Sequence, residues 1–318
     1  MPEVENSDPH RSVLRDEVVR AIEPKPEQII VDATLGYGGH TEALLESCDS
    51  IRVVGLDHDS EAIRLARQRL DRYADRVMFV KSNFTELNNV LAELGFESVD
   101  GVVADLGVSS MQFDEADRGF SFRFDAPLDM RMDRESEAST ASDLLAELTE
   151  EEIANIIYLY GEERMSRRIA RRIVESREAG NPVIATKQLA DLVERAVGRK
   201  PKDKIHPATR TFQALRIAVN RELEILGPFV TDAINILTTD ARLAVITFHS
   251  LEDRIVKHTM QKLSGKCTCP PRQPVCTCGA VRKVEILTRK PILPSDREIE
   301  VNPRSRSAKL RVCKKLAV

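Results

Sequence analysis

The sequence predicts a doubly wound α/β fold with a mainly parallel sheet and an all-helical insertion. Three observations support this prediction. Short apolar runs alternate with helical periodicity over roughly the first hundred residues. A glycine turn, Gly36-Tyr-Gly38-Gly39, separates the first apolar run from the first helix. From Leu128 to Lys204 the alternation stops, and only helical patterns remain.

Each predicted strand is a short apolar run bounded by turn or polar residues. The predicted strands are 29–33, 52–56, 77–80, 99–106, 243–248, 284–287 and 309–313. Apolar residues at three- and four-residue spacing predict helices at 39–47, 60–73, 86–94, 207–223 and 228–237. We expect the first five strands to run parallel and the last two to form an added carboxy-terminal hairpin.

The region without strands is predicted to be a separate helical domain. One helix begins at Ser142, and others are expected at 150–160, 164–176 and 186–197. We therefore divide the chain into a discontinuous sheet domain, residues 1–127 and 205–318, and a helical insertion domain, residues 128–204.

Charge and hydropathy restrict the function classes. No apolar run is long enough to cross a bilayer, so no membrane contact is expected. The first ten residues are polar and lack the apolar core of a secretory signal, which predicts a cytoplasmic protein. The net charge is −4, yet residues 199–221 carry +6 and residues 282–318 carry +7. Segregated basic stretches of this kind are typical of contacts with a phosphate backbone.

Four cysteines occur as two closely spaced pairs. They are Cys267, Cys269, Cys276 and Cys278. Structural zinc sites usually place two to four residues between paired ligands, whereas one residue separates each pair here. Zinc binding and a proline-rich loop of reduced thiols both stay open, and we assign no metal ligand.

Acids at the ends of the first two predicted strands indicate the type of cofactor. Asp57 ends the second strand, where an acid accepts hydrogen bonds from ribose hydroxyls. Thr41 replaces the third glycine of the dinucleotide fingerprint. A carboxylate at Asp32 would repel a pyrophosphate but attract the ammonium group of a methionine moiety. S-adenosylmethionine is therefore favoured over NAD, and the carboxy-terminal hairpin likewise suits a methyltransferase sheet better than a dehydrogenase sheet.

The fourth predicted strand ends in Asp105. Enzymes that methylate exocyclic amines place a polar residue here, which accepts a hydrogen bond from the amine. Their usual prolines and aromatic residue are replaced by Leu106-Gly107-Val108. Phe84, just past the third strand, is placed to lie on an adenine ring, and three alternating phenylalanines in a polar loop are interpreted as base-stacking residues. These three are Phe120, Phe122 and Phe124.

Nine segments together resemble the bacterial 16S ribosomal RNA (cytosine-N4) methyltransferase family over nearly the whole chain. They are residues 10–14, 32–40 (Asp-Ala-Thr-Leu-Gly-Tyr-Gly-Gly-His), 105–110 (Asp-Leu-Gly-Val-Ser-Ser), 118–122, 128–132, 206–210, 212–216, 248–254 (Phe-His-Ser-Leu-Glu-Asp-Arg) and 302–311. One departure is Ser12, where the family pattern usually has proline.

The resemblance implies a Rossmann-like class I methyltransferase sheet with an inserted helical domain. It implies transfer of a methyl group to N4 of a cytidine in the decoding region of 16S ribosomal RNA, free or within the small ribosomal subunit. Seven residues are implied to contact S-adenosyl-L-methionine. They are Gly38, Gly39, His40, Asp57, Phe84, Asp105 and Gln112. The alternatives are an amino-methyltransferase acting on another RNA or DNA site and a ribosome-assembly factor.

Our chemical reasoning adds a catalytic role for Asp105 as acceptor for the cytosine amine, while a purely cofactor-binding role stays open. Four residues are predicted to contact the RNA substrate. They are His249, Arg304, Arg306 and Lys309. Ser250 is assigned to a helix cap. Residues 199–204 form a second basic patch, and for the arginines between 164 and 172 both RNA contact and pairing with nearby glutamates remain open.

Overall fold

The computed structural model describes residues 12–107, 115–199, 205–267, 269, 277 and 279–317. The chain divides into two compact units. The sheet unit comprises Met1–Gly107 and Leu223–Val318, and the helical unit comprises Val108–Glu222. No helix within the described ranges is long and apolar enough to cross a bilayer.

The sheet unit is built on a seven-stranded sheet. Its strands are β1 (Ile29–Asp32), β2 (Arg52–Asp57), β3 (Val77–Lys81), β4 (Val99–Asp105), β5 (Leu237–Thr247), β6 (Val284–Ile286) and β7 (Lys309–Lys315), in the order β3-β2-β1-β4-β5-β7-β6. The first five pair in parallel, whereas β7 is antiparallel to both β5 and β6. The predicted doubly wound sheet with an added antiparallel pair is thereby confirmed.

The helices of both units lie close to the predicted ranges, except that the first and the last of them were not predicted. They are α1 (Arg15–Ile22), α2 (Gly39–Ser47), α3 (Ser60–Arg69), α4 (Leu87–Glu93), α5 (Ala141–Glu147), α6 (Glu150–Gly161), α7 (Ser166–Glu178), α8 (Thr186–Val197), α9 (Ala208–Asn220), α10 (Glu222–Ile236), α11 (Ser250–Leu263) and α12 (Asp296–Val301). The prediction that α10 begins at Pro228 is wrong, because that proline lies inside the helix.

Apolar side chains cover both faces of the sheet. Ile30 and Val53 belong to one buried cluster, while their neighbours Val31 and Val54 belong to another. Successive strand residues point to opposite faces, so a strand buried on both sides must be apolar at every position. This requirement explains why the strands appear in the sequence as continuous apolar runs.

The helical unit has an apolar core of its own. Capping boxes begin two of its helices, with Thr140 and Asp143 at α5 and Thr149 and Glu152 at α6. The unit is wider than the predicted 128–204, because Phe212 of α9 joins this core. Hydrophobic burial therefore sets the boundary, and the loss of strand patterns does not.

Candidate active site

The carboxyl ends of β1, β2 and β4 meet at one edge of the sheet. The strand register places Asp57 and Asp105 on either side of Thr34, just beyond β1. The backbone N–H of Asp105 donates a hydrogen bond to Thr34 Oγ1 at 2.6 Å. Ligands of open α/β sheets bind at such strand ends. The structure thus brings two of the predicted site acids to a single edge.

The glycine turn closes one side of this site. Gly36 and Gly38 have φ angles of 51° and 74°, a left-handed conformation that favours glycine. The N–H of Gly36 donates to Asp57 Oδ2 at 2.8 Å, which ties the turn to β2. A Cβ atom on Gly38 would lie 2.7 Å from Leu70 Cδ1, and one on Gly39 would collide with Ser12 Oγ. These glycines let neighbouring segments pack closely around the turn.

Asp57 is mostly buried, with 12% of its side chain exposed. Its Oδ1 accepts a hydrogen bond from the N–H of Asp59, and its Oδ2 accepts the bond from Gly36. Burial raises the pKa of this carboxyl, and the adjacent His58 and the two backbone donors only partly offset that effect. Each oxygen retains a lone pair, so the carboxylate can accept hydrogen bonds from a ribose diol.

His40 and Asp105 face each other across the site. His40 lies in the first turn of α2, 5% exposed, and its Nε2 is 3.5 Å from Asp105 Oδ2. Burial lowers the pKa of His40, but the negative charges of Asp105 and Asp32 outweigh burial and hold it above its ordinary value. The Asp105 side chain is 25% exposed, and its Oδ1 has no hydrogen-bond partner among the described residues.

The structure contradicts the role expected for Asp32. Its side chain is fully buried, so it offers no surface to a ligand. Oδ2 accepts a hydrogen bond from Thr41 Oγ1 at 2.7 Å, and Oδ1 accepts one from the N–H of Thr34 at 3.3 Å. Burial raises the pKa of Asp32. The carboxylate joins β1 to α2 beneath the site, where Thr41 takes the place of the third fingerprint glycine.

Several polar atoms at the carboxyl ends of the strands have no hydrogen-bond partner in the described part of the chain, and they indicate which kind of ligand fits there. Among the described residues, four shielded polar atoms here lack a hydrogen-bond partner. They are His40 Nδ1, His40 Nε2, His58 Nε2 and Asp105 Oδ1. Orphaned buried polar groups are rare in folded proteins, and a bound ligand is one way in which they become satisfied. Together with the free lone pairs of Asp57, these atoms fit a polar, adenosine-containing cofactor.

Sequence reasoning missed His58. Its Nδ1 lies 3.7 Å from Asp57 Oδ1, and its position directly after Asp57, the acid predicted to accept ribose hydroxyls, was the available signal. Phe84 follows β3 in a short 3₁₀ helix and is half-buried, with its ring centroid 4.7 Å from that of Phe229. Gln112, the remaining predicted cofactor contact, lies outside the described residues.

His249 caps the N-terminus of the helix that follows β5. The residue is the N-cap of α11, where its Nδ1 accepts a hydrogen bond from the N–H of Glu252 at 3.4 Å. Its Nε2 lies 3.1 Å from Glu252 Oε1. The assignment of the cap to Ser250 is therefore wrong by one residue, because a histidine can also supply the capping acceptor.

The carboxy-terminal basic residues divide into two groups. Arg311 is 6% exposed and binds both carboxylate oxygens of Asp253, at 2.6 and 3.2 Å. Lys309 Nζ lies 3.7 Å from Asp253 Oδ2, so this predicted RNA contact has a carboxylate partner within the protein. Arg304 and Arg306 are exposed on the 3₁₀ helix Pro303–Ser307. Their exposure leaves the predicted contact with phosphates as a prediction.

The three alternating phenylalanines do not form a stacking loop. Phe120 is 5% exposed, within the core of the helical unit. Phe122 packs against Phe212 with ring centroids 5.0 Å apart. Only Phe124 is exposed, to 48%. The loop is polar in sequence, but its first two aromatic rings close the helical core.

Comparison with known proteins gives a consistent family. The MraW methylase family matches residues 7–316. A protein of Brevibacillus brevis named ribosomal RNA small subunit methyltransferase H is 50% identical over 309 residues, which cover 96% of this chain and 98% of that protein. Proteins of the same name from Clostridioides difficile and a Geobacter species are 48% and 49% identical, over 96% of this chain and 99% and 98% of theirs.

Proposed function

This chain belongs to the MraW methylase family, and we propose that it methylates N4 of a cytidine in the decoding region of 16S ribosomal RNA, with S-adenosyl-L-methionine as methyl donor. The names of its relatives support small-subunit ribosomal RNA as the substrate class. The observation that carries the proposal is Asp105, whose Oδ2 faces His40 and whose Oδ1 is unsatisfied at the strand ends.

The cofactor is held by the glycine turn and by the end of β2. When bound, S-adenosyl-L-methionine supplies a methyl group on a positively charged sulfur, which makes that carbon electrophilic. Asp57 receives the ribose hydroxyls, because its backbone donors hold both carboxylate oxygens in place. The glycine turn contributes Gly38 and Gly39 to the cofactor site. Phe84 follows β3 and offers one ring face for an adenine. Gln112 completes the proposed set of contacts.

Asp105 makes the acceptor amine reactive. The nitrogen lone pair of the cytosine amine is delocalised into the ring, so the flat amine is a poor nucleophile. A hydrogen bond from the amine to Asp105 Oδ1 favours the pyramidal geometry in which the lone pair is available. As the amine nitrogen gains the methyl group it becomes positively charged, and Asp105 then accepts its surplus proton. General-base assistance of this kind contributes about 10²- to 10⁴-fold in rate.

His40 positions that carboxylate. Its Nε2 lies 3.5 Å from Oδ2, whereas Oδ1 has no hydrogen-bond partner among the described residues and stays available to the amine. A positive charge on the imidazole also favours the ionised form of Asp105, which is the form that can accept a hydrogen bond and a proton. His40 thereby contributes to the reaction through Asp105, in addition to its proposed contact with the cofactor.

The residues proposed to contact RNA extend beyond the strand ends where the methyl transfer takes place. Arg304 and Arg306 are the carboxy-terminal residues that we assign to phosphates, and His249 stays a proposed contact near the end of β5. Small subunits assemble in the cytoplasm, so the proposal includes a cytoplasmic reaction. Neither free RNA nor the assembled subunit is preferred by the geometry of the strand ends.

Transfer of a labelled methyl group tests the proposal. The purified protein is incubated with methyl-labelled S-adenosylmethionine and small subunits from cells lacking the enzyme, and the RNA is digested to nucleosides. We expect label in N4-methylcytidine. Label in another nucleoside would show that the methyl acceptor is not N4 of cytidine. Cofactor binding without any labelled RNA would favour a role in ribosome assembly.

A further inference from the structure

The helical unit presents an exposed basic and aromatic corner that the transfer chemistry does not use. α6 and α7 are joined by the four residues 162–165, so the last turn of α6 lies beside the first turn of α7. We call this region the α6–α7 corner. It consists of Tyr158, Leu159, Arg164, Met165, Arg167 and Arg168.

The apolar members of the corner are not needed for the core. α6 buries Ile153, Ala154 and Ile157 on its inner face. Tyr158 and Leu159 lie on the other face, where they are 58% and 57% exposed. Single exposed apolar residues are ordinary on protein surfaces, but adjacent ones next to charged side chains mark an interaction site.

Intramolecular pairing does not explain the arginines. No carboxylate of the described residues lies within 4.0 Å of the Arg164, Arg167 or Arg168 guanidinium. By contrast, Arg171 lies 3.7 Å from Glu150, and Arg172 lies 2.8 Å from Glu175. The first turn of α7 contains no acid, and cations there are disfavoured by the helix dipole. These arginines therefore do not stabilise the helix that carries two of them.

The corner is held in a fixed shape by the residues beneath it. Glu163 is 8% exposed, and its Oε1 accepts a hydrogen bond from the N–H of Met165 at 2.8 Å. Its Oε2 lies 3.6 Å from Nη1 of the exposed Arg210 at the start of α9. Gly161 packs so tightly that a Cβ atom would lie 2.6 Å from the carbonyl oxygen of Arg210. The exposed side chains thus project from a rigid base.

We propose that the α6–α7 corner is a docking surface for RNA, on which the arginines contact phosphates and Tyr158 stacks on an unpaired base. Charge complementarity is the first argument, because three cations without a carboxylate partner match a polyanion. The second is the exposed ring of Tyr158 in the last turn of α6, since aromatic faces bind bases of any sequence. The inference rests on the proposed function, which supplies an RNA, and it assigns that RNA a surface remote in sequence from Asp105.

Two sets of variants test the surface. Arg167→Gln with Arg168→Gln removes two cations from the corner, and Lys187→Gln with Arg195→Gln removes two from exposed positions of α8 as a charge-matched control. Tyr158→Ala removes the ring, and Tyr158→Phe keeps it. The probe is an unmethylated transcript of 16S ribosomal RNA, titrated at several salt concentrations. Affinity for S-adenosylhomocysteine and thermal unfolding are measured on every variant.

We expect the corner double variant to bind the transcript roughly 10- to 20-fold more weakly near 0.15 M salt, with a salt slope lower by about 1.4 to 1.8. Tyr158→Ala should weaken binding by about 5- to 100-fold, whereas Tyr158→Phe should bind normally. The control variant should keep the wild-type slope, and no variant should change cofactor affinity.

Equal losses in the corner and control variants would overturn the proposal, because they would show only a net-charge effect. Unchanged RNA binding in the corner variants would also overturn it. If binding to assembled subunits fell while binding to the transcript did not, the partner would be a ribosomal protein. Wild-type protein that labels no RNA would refute the proposed function, and the transcript titration would still decide the docking surface.

Discussion

The strand ends of the sheet unit and the α6–α7 corner of the helical unit hold charged groups in opposite environments. The sheet unit buries Asp32 and His40 at the strand ends, where removing a charge from water is costly. The helical unit keeps Arg164, Arg167 and Arg168 exposed, where a cation costs little. Buried polar atoms without partners indicate a place for chemistry, and exposed cations without partners indicate a place for binding.

The pair of Arg311 and Asp253 refines this comparison within the sheet unit. Both side chains are largely buried, but each satisfies the other through two hydrogen bonds. Asp105, in contrast, retains an unsatisfied oxygen. Burial alone therefore does not identify a functional residue, and the unmet hydrogen bond is what distinguishes Asp105 from Asp253.

The largest effect is expected for Asp105→Ala. We expect methyl transfer at saturating cofactor and RNA to fall by about 10²- to 10⁴-fold, because the amine loses its hydrogen-bond and proton acceptor. Calorimetric titration with S-adenosylhomocysteine measures cofactor binding separately. If the transfer rate per bound cofactor stayed at the wild-type level, Asp105 would be a cofactor ligand only.

Arg311→Ala should damage stability and leave the chemistry intact. The substitution leaves Asp253 buried beside the single, more distant Lys309, at a cost of about 3 kcal/mol in unfolding free energy. Urea unfolding measures this loss, with the exposed Arg306→Ala as control. Normal stability together with a raised KM for RNA would instead identify Arg311 as a phosphate contact.

The same pair predicts a dependence on acid. Burial raises the pKa of Asp253, but the bonds and charges of Arg311 and Lys309 outweigh it, so the net pKa lies below the ordinary value of 3.8. The stabilisation is therefore complete above pH 3.8 and is lost as the pH falls through the lowered pKa. Arg311→Ala should remove this part of the acid sensitivity.

His40→Gln should change how stability responds to pH near neutrality. The folded protein holds the His40 proton more tightly than the unfolded chain, whose pKa is near 6.5. The resulting stabilisation is present below that pH and is lost as pH rises through the higher folded pKa. We expect urea unfolding of the wild type from pH 6 to 9 to show this loss, with a limit of about 1.4 kcal/mol per pH unit. Identical pH slopes in variant and wild type would refute the charge assigned to His40.

Arg304→Gln with Arg306→Gln should have the smallest effect on stability. Both side chains are exposed, so unfolding free energy should change by no more than about 0.5 kcal/mol. Loss of two phosphate contacts should raise the KM for RNA and lower the salt slope by about 1.8. Unchanged RNA binding across a salt titration would remove both residues from the proposed interface.

The strands and the glycine turn were predictable because their signals are local. A strand buried on both faces must be apolar throughout, as β1 and β2 are, and left-handed backbone angles favour glycine at positions 36 and 38. The acids at Asp57 and Asp105 followed from their place at strand ends. These inferences require no knowledge of which distant segments come into contact.

The helix start at Pro228 and the cap at Ser250 were local errors, whereas the errors at predicted site residues concern partners elsewhere in the fold. The sequence next to Lys309 contains no acid, but β7 packs beside α11, where Lys309 meets Asp253. Phe120 lies in a polar loop, yet it is buried by helices more than twenty residues away. Asp32 was placed at the right strand end, but Thr41 of α2 occupies its carboxylate. Tertiary packing decides such cases.

Single-turnover methyl transfer, measured over a range of RNA concentrations, tests the division between chemistry and binding most directly. Wild type, Asp105→Asn and the Arg167→Gln, Arg168→Gln double variant are compared with saturating cofactor. We predict that Asp105→Asn lowers the rate at saturating RNA, and that the double variant raises only the RNA concentration giving half the maximal rate. A lowered maximal rate in the double variant, or a maximal rate unchanged by Asp105→Asn, would contradict the account.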